Sequence, residues 1–353
     1  MRKMIAASLA SRVGHDRGYW NRRRWEARMK RVTIYAVAEA CGVSASTVSR
    51  AFSRPEIVND ELRERILVTA REMGYQMNRA ARGLATGRTG MVGLMVPDIT
   101  NPFFPPLVRA IQQAAAQIDS SVMLVDADER ASAEPELISR LKAQVDGLII
   151  ASPRAATGSL TEAVGGLPAV VINRTVPGMS AVVCDNSAAL TEAGRHLQEL
   201  GHRRVALIGG PAASWAARRR AAAIRAWAEK SEVELIELGS FGASYEGGRE
   251  AAVAFAGSAA TAAFAFDDLM ACGVLAGLAE AGVPVPEARS VVGCDDVLLA
   301  RTVTPNLTTV TAPVAELGRV AVDLLQQNLN GGAPEQIVLE GTLALRGTTG
   351  TPA

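Results

Sequence analysis

Residues 33–52 read TIYAVAEACGVSASTVSRAF, and this stretch sets the first element of the fold. Ile34, Val37, Ala38 and Cys41 recur at helical spacing behind Thr33, whose hydroxyl can cap a helix N-terminus. Gly42 supplies the positive φ that a tight turn after that helix needs. Ser44 then stands as the cap of a second helix, Ala45–Phe52, with Val48 and Phe52 turned inward. Two short helices joined by a three-residue turn form a helix-turn-helix. Asn59 can cap a third helix, with Asp60 and Glu61 at its positive end and Ile66, Ala70 and Met73 closing a small core before Gly74. In such a head the second helix enters the DNA major groove, where its early side chains reach base edges. Arg50 can donate a bidentate pair to guanine, and Ser46 and Thr47 can bond a base or a phosphate. Ser44 and its neighbouring backbone N–H groups suit a phosphate. A generic three-helix packing module with a satisfied surface arginine fits the same spacing.

Charge divides along the same line. Residues 1–90 hold 18 Lys+Arg against 8 Asp+Glu, whereas residues 91–353 hold 19 against 28. A basic head on an acidic body points to a polyanionic partner, nucleic acid first. Arginine outnumbers lysine 33 to 4 over the whole chain, so part of this is compositional bias. Ten of the basic residues lie in residues 1–31. The basic extension at 1–28 is expected to be a translated upstream stretch, with Met29 as the natural start. A flexible arm with non-specific DNA affinity and a secretory signal are the competing readings, though the apolar run Met4–Ala10 is at the short end for the latter.

A chain of 353 residues, 48% hydrophobic and 21% charged, implies two or three domains with sizeable cores. Every apolar run falls short of the ~20 residues a membrane helix needs. Cys41, Cys184, Cys272 and Cys294 lie far apart with no CxxC pair, which excludes a disulfide framework and a zinc knuckle. After Gly90, short apolar strands alternate with helical stretches. Strands are expected at Met91–Val96, Ser121–Val125, Gly147–Ile150, Ala169–Ile172 and Ala181–Val183, then at Arg204–Ile208, Glu234–Glu237, Ala262–Ala265 and Ser290–Val292. Helices fall between them, and Val314–Leu329 reads as one more. Two sets of βα units imply two parallel-sheet lobes, each with a crevice at the C-terminal ends of its strands.

Between head and body, Asn78–Gly87 (NRAARGLATG) reads as a short Asn-capped helix whose one large apolar side chain is Leu84. Flanked by Arg82 and Arg88, Leu84 could wedge a minor-groove base step, or it could simply pack against the following domain. Here GVSASTVSR at 42–50, REMGYQMNRAARGL at 71–84 and VGLMVPDITNPFF at 92–104 follow one another, and the chain resembles the LacI/GalR family of bacterial transcription repressors. The resemblance continues through VDGLII at 145–150, LGHRRVALIGGP at 200–211 and VVGCDD at 291–296. It implies an all-α helix-turn-helix domain at 29–77 and a hinge helix and linker at 78–89. An effector-binding and dimerisation domain of the type I periplasmic-binding-protein fold follows at 90–348, with crossovers near 185–195 and 313–330 and a tail at 349–353. It implies that Ala45, Ser46 and Arg50 read bases and that Leu84 is the wedge; Thr33, Ser44, Thr47 and Asn78 are expected to hold the DNA backbone. Ala36 and Met77 depart from the family pattern, which usually has an acidic residue and a proline there.

Effector residues must sit at strand ends facing the interlobe cleft. Asn101, Phe103 and Phe104 follow the first strand, where an aromatic face can cover a sugar ring or a base. Asn173 ends another strand, Arg220 lies six residues after Ser214, and Asp267 and Asp295 end two more. The resemblance assigns Asn173, Arg220, Asp267 and Asp295 to the effector; an Asp267–Arg220 pair inside the site is the competing arrangement. Asp268 and Asp296 read as helix caps, and His202 as a local turn hydrogen bond. No nucleophile elbow, phosphate loop or metal-ligand spacing occurs, so neither catalysis, metal nor cofactor is expected. The expected protein is a cytoplasmic homodimer that binds a pseudo-palindromic DNA operator and a sugar-like effector. A periplasmic-type sugar receptor without DNA binding is the alternative from another class.

Overall fold

A computed structural model describes residues 32–53, 55–75 and 88–353. The extension at 1–28 and the calls on Asn78 and Leu84 lie outside the described residues. The chain divides into two compact units, with the boundary after Thr86.

In the head, α1 (Ile34–Cys41) starts at Thr33, whose Oγ1 accepts from Ala36 N at 3.4 Å, and ends at Gly42 with φ 65°. Helix α2 (Ala45–Ser53) follows within three residues, and α3 (Asp60–Glu72) is capped by Asn59 Oδ1, which accepts from Glu61 N and Leu62 N. Val37, Val48 and Ile66 are fully buried where the three helices meet. Each such side chain contributes about 1.5–3 kcal/mol, enough for a small core and no more. Phe52 closes one edge, its ring centroid 6.0 Å from that of Tyr75.

The body is built from two six-stranded sheets. The first orders its strands β11-β5-β4-β3-β1-β2, all parallel, from β1 (Met91–Val96), β2 (Ser121–Asp126), β3 (Gly147–Ala151), β4 (Ala169–Ile172), β5 (Ser180–Asp185) and β11 (Gln336–Glu340). The second orders them β12-β10-β9-β8-β6-β7, from β6 (Arg204–Gly209), β7 (Glu234–Ser240), β8 (Ala262–Ala265), β9 (Ser290–Asp295), β10 (Thr308–Thr311) and β12 (Leu343–Ala344). Among the described strands only β12 runs antiparallel to its neighbour. Central strands such as β3 and β8 are buried along their whole length, as strands covered by helices on both faces must be.

Lobe one carries α4 (Phe104–Gln117), α5 (Glu134–Lys142) and α6 (Thr157–Val164). Lobe two carries α7 (Ser187–Glu199), α8 (Trp215–Lys230), α9 (Tyr245–Gly257), α10 (Asp268–Glu280) and α11 (Leu298–Thr302). Helix α12 (Val314–Leu329) returns to lobe one, where Leu317, Leu324 and Leu325 join Leu94, Leu107 and Ile111 in one core. The chain therefore changes lobe between β5 and α7, between β10 and α12, and again between β11 and β12; the last crossing was not among the expected ones. Hydrogen bonding into lobe two also runs past Thr348: Gly350 N donates to Ser290 Oγ, and its carbonyl accepts from the second lobe. No described helix is long and apolar enough to cross a membrane.

Candidate functional site

On the head, Ser44 Oγ accepts from Thr47 N at 3.1 Å and lies 2.7 Å from Ser46 Oγ, so one hydroxyl organises the start of α2. Ser46 and Arg50 are exposed and, four residues apart, share one face of that helix. Ala45 is half-buried against the head's core and presents only a partly covered methyl. Thr33 is exposed at its cap position, and Thr47 is half-buried with its hydroxyl 2.9 Å from Ser44 Oγ. Sequence reasoning passed over Tyr35, which is 74% exposed at the start of α1 beside Thr33. Its place off the apolar stripe of Ile34, Val37, Ala38 and Cys41 was the available signal.

In the body, strand ends from both lobes converge on a polar cleft. All seven residues expected at the effector site line it. So do Ser152, Arg154, Ser214 and Phe266, which the sequence reading did not select. Three residues reach the cleft through left-handed backbone: Ser152 (φ 46°), Asn173 (φ 54°) and Asp295 (φ 116°). Such conformations cost about 1–3 kcal/mol each and persist only where the surroundings hold them.

Arg220 lies near the start of α8, whose cap Ser214 accepts from Ala217 N at 3.2 Å. Its guanidinium donates to Asp295 Oδ1 at 2.6 Å and to the Phe266 carbonyl at 2.7 Å, and sits 5.1 Å from the centroid of the Phe266 ring. The ion pair is thus with Asp295 and not with Asp267. Asp267 is already committed: one oxygen caps α10 by accepting from Met270 N at 2.8 Å, and the other accepts from Asn101 Nδ2 at 3.0 Å. That last bond crosses the cleft, from the loop after β1 to the end of β8. Burial raises the Asp267 carboxyl, and it pushes Asp295 up to about 6 while Arg220 pulls the other way.

Asn101 Oδ1 accepts from Phe103 N at 3.0 Å, so both ends of this amide are engaged. Asn173 Oδ1 accepts from Cys184 N at 3.0 Å, leaving its NH₂ as the group free to donate to a ligand. Phe103 and Phe104 are each 5% exposed and pack edge to face on one another in the lobe-one core, so they offer the cleft little open ring surface. Arg154 is held by two 2.8 Å bonds to Glu129 and one to the Ser152 carbonyl, a fixed cation at the lobe-one wall.

Three expectations are corrected. Asp268 is not a cap; fully buried, it accepts from Val297 N at 2.9 Å and Thr309 Oγ1 at 2.5 Å, tying α10 to β10, while its neighbour Asp267 takes the cap. Burial pushes Asp268 up to about 7. Asp296 binds Arg301 and Arg346 instead of capping α11. His202 makes no local turn bond with its ring; it reaches Thr261 Oγ1 at 2.7 Å and the Gly350 carbonyl at 2.9 Å, pinning the end of the chain to lobe two.

The Asn101–Asp267 bond gives a direct test of how the lobes are held. Asn101→Ala should lower the body's unfolding free energy by about 1–3 kcal/mol, because it strands a buried carboxylate oxygen and the Phe103 N–H. Urea denaturation followed by circular dichroism measures this, and an unchanged midpoint would show that the bond carries no load.

A helix-turn-helix ahead of a two-lobed α/β body with a polar cleft defines the class of ligand-responsive DNA-binding regulators. Comparison with known proteins agrees. The pattern for bacterial regulatory proteins of the lacI family matches residues 33–78, and that for a periplasmic binding protein-like domain matches residues 195–349. The chain belongs to the LacI family of bacterial transcription regulators. It is 32% identical to the HTH-type transcriptional regulator DegA of Bacillus subtilis, over 90% of this chain and 98% of that protein. It is equally identical to catabolite control protein A of Streptococcus mutans, with the same coverage. Among solved structures, the lac repressor dimer bound to operator and the anti-inducer ONPF superposes with a TM-score of 0.79 at 28% identity, covering 92% of this chain and all of that one. A LacI family regulator from Enterococcus faecium with bound ribose gives 0.67 at 30% identity, covering 74% of this chain and all of that one.

Proposed function

We propose that this protein is an effector-responsive repressor that works in the cytoplasm as a homodimer on a pseudo-palindromic operator, without catalysis. The observation that carries the reading is the cleft: Arg220, Asp295, Asp267, Asn101 and Asn173, drawn from both lobes, meet in one cavity. Bidentate-capable donors and acceptors set on opposite walls suit a polyhydroxylated ligand such as a sugar. A ligand that bridges the walls changes the balance between open and closed arrangements. The ribose bound in the related Enterococcus faecium regulator supports a sugar-like effector here. Ser46 and Arg50 are proposed to read bases, with Ala45 adding a methyl contact, and Thr33, Ser44 and Thr47 to hold phosphates. Asn78 and Leu84 keep their proposed backbone and wedge roles on sequence grounds alone.

Operator affinity measured by fluorescence anisotropy, with and without sugars, tests the reading. The effector must shift DNA affinity by the same factor by which DNA shifts effector affinity. Arg50→Ala should cost about 1–3 kcal/mol on the operator and much less on a scrambled duplex at the same salt. Equal losses on both duplexes would reduce Arg50 to a phosphate contact.

A further inference from the structure

Arg88, Thr89 and Gly90 lead into β1 at the base of lobe one, the end of the sheet away from the cleft. Arg88 and Thr89 are exposed, and Gly90 has a left-handed φ of 67°. Such a stretch is ordinarily a loose joint, because exposed loop residues beside a glycine keep much of their backbone freedom. Here every residue of it is bonded. Asp146, which immediately precedes β3, accepts with one oxygen from Thr89 N at 2.6 Å and Thr89 Oγ1 at 3.0 Å, and with the other from Gly90 N at 2.8 Å. Thr89 Oγ1 also accepts from Met91 N at 3.1 Å. Arg88 donates to the Leu329 carbonyl at 2.9 Å, in the last turn of α12, where a cation meets the negative end of the helix. β1 does not need these bonds to hold its place, since five of its six residues are buried.

Both anchors stand on one tied platform. Asn328, beside Leu329, donates to the Ala169 carbonyl at the start of β4 at 3.3 Å and accepts from Ser180 Oγ at the start of β5 at 3.0 Å. Ser180 Oγ accepts in turn from Glu335 N, next to β11. The base of lobe one is therefore bonded across from β1 to β11, and residues 88–90 turn with it. At its other end α12 begins where the chain has just crossed from β10 of lobe two. β3 is five residues long, so Asp146 lies about 16 Å from the strand end at the cleft, too far to touch a ligand there.

We infer that Asp146, Thr89 and Arg88 form a clasp that passes rotation of lobe one to the segment at 78–87, and that effector and DNA are coupled through it. A hinge motion of the lobes reaches that segment without slack as long as residues 88–90 turn with the sheet. With the clasp cut, those residues absorb the rotation as changes in their own φ and ψ. Asp146 and Thr89 are thus positioning residues. The inference rests on the effector-responsive reading given above and adds the point at which the state of the body is handed on.

Operator affinity of the full chain by fluorescence anisotropy, with and without ribose, glucose, galactose or fructose, gives the coupling factor, and calorimetry gives the affinity for the sugar that acts. For the wild type the factor should lie in the ordinary range of about 5–150, and for Asp146→Ala it should fall to about one. Sugar affinity should be unchanged. Thr89→Val should lower the factor, and Thr89→Ser, which keeps the hydroxyl, should restore it. A merely structural role would weaken sugar binding and leave the coupling of the bound protein intact. Tryptic cleavage after Arg88, followed by mass spectrometry, should be about tenfold faster in Asp146→Ala, since cleavage follows the population of the locally opened state. That measurement needs no sugar, and equal rates would show that the clasp holds nothing. A responsive wild type beside an equally responsive Asp146→Ala overturns the inference and leaves the effector reading standing. If none of these sugars shifts operator affinity in the wild type, the sugar reading fails and the transmission role falls with it.

Discussion

Arg220→Ala is expected to abolish the response to effector while leaving operator binding in its absence intact. Among the described residues the guanidinium is the one cation bonded to Asp295, and it also satisfies the Phe266 carbonyl, so truncation strands two acceptors in the cleft floor. Breaking a buried pair in this way costs about 3–5 kcal/mol, because the remaining charge has no partner. The pH dependence fixes the sign. Burial already holds Asp295 at about 6 against the pull of Arg220. Without that pull its folded-state value rises further above the ordinary carboxylate range. A carboxyl raised on folding favours the protonated native state, so its contribution is present in acid and lost as pH rises through the folded value. The variant's deficit should therefore be small near pH 5 and grow through pH 7. Thermal unfolding of both proteins across this range, with operator anisotropy at pH 7.5, checks both claims. A deficit independent of pH would mean that Asp295 stays ionised without its arginine.

Gly293→Ala should be nearly as damaging, although it touches no ligand. A Cβ at this position in β9 would lie 2.3 Å from Asp268 Oδ1 and 2.8 Å from Leu307 Cδ2. Asp268 cannot give way, since Val297 N and Thr309 Oγ1 hold both of its oxygens. Overpacking of this kind costs about 1–3 kcal/mol. The displacement reaches the cleft directly, because Asp268 opens α10 and the preceding Asp267 carries both the cap and the bond to Asn101. Chemical denaturation should show the stability loss, and calorimetry a weaker effector affinity in the protein that remains folded. Wild-type values for both would mean that β9 shifts to make room.

The head was legible almost residue by residue, because caps, turn glycines and helical spacing are local signals: Thr33, Gly42 and Asn59 do in space what their types allow. Most strands of the body were legible for a similar reason, as apolar runs between turn residues. Strand β10 was not, for TTVT carries a single aliphatic residue; Thr308 and Thr309 are buried with Thr348, Thr349 and Asp268 as their hydrogen-bond partners. Strand β11 carries the short apolar run 337–339, which was passed over; at the edge of its sheet it is only half-buried, on alternate residues. In the cleft, polar residues that end strands could be picked out, but their pairing could not. That Arg220 meets Asp295 depends on α10 claiming Asp267 as its cap, a choice between two adjacent aspartates that no spacing decides. Arg154 and Phe266 entered the site through their neighbours' geometry.

The three lobe changes have a consequence for how the protein is made. The first sheet ends at β5 until Gln336–Glu340 arrives to pair with it, and its α12 cover comes from residues 314–329. A ribosome therefore finishes nearly all of lobe two before lobe one can close. Through that interval the nascent chain carries an uncovered apolar face over β4 and β5 and an open strand edge, the features that chaperones bind and that aggregation exploits. A chain cut short near residue 312 would keep the cleft-lining side chains and still lack a finished first lobe. Loss of the last tenth of the coding sequence should therefore cost abundance in the cell before it costs any single contact in the cleft.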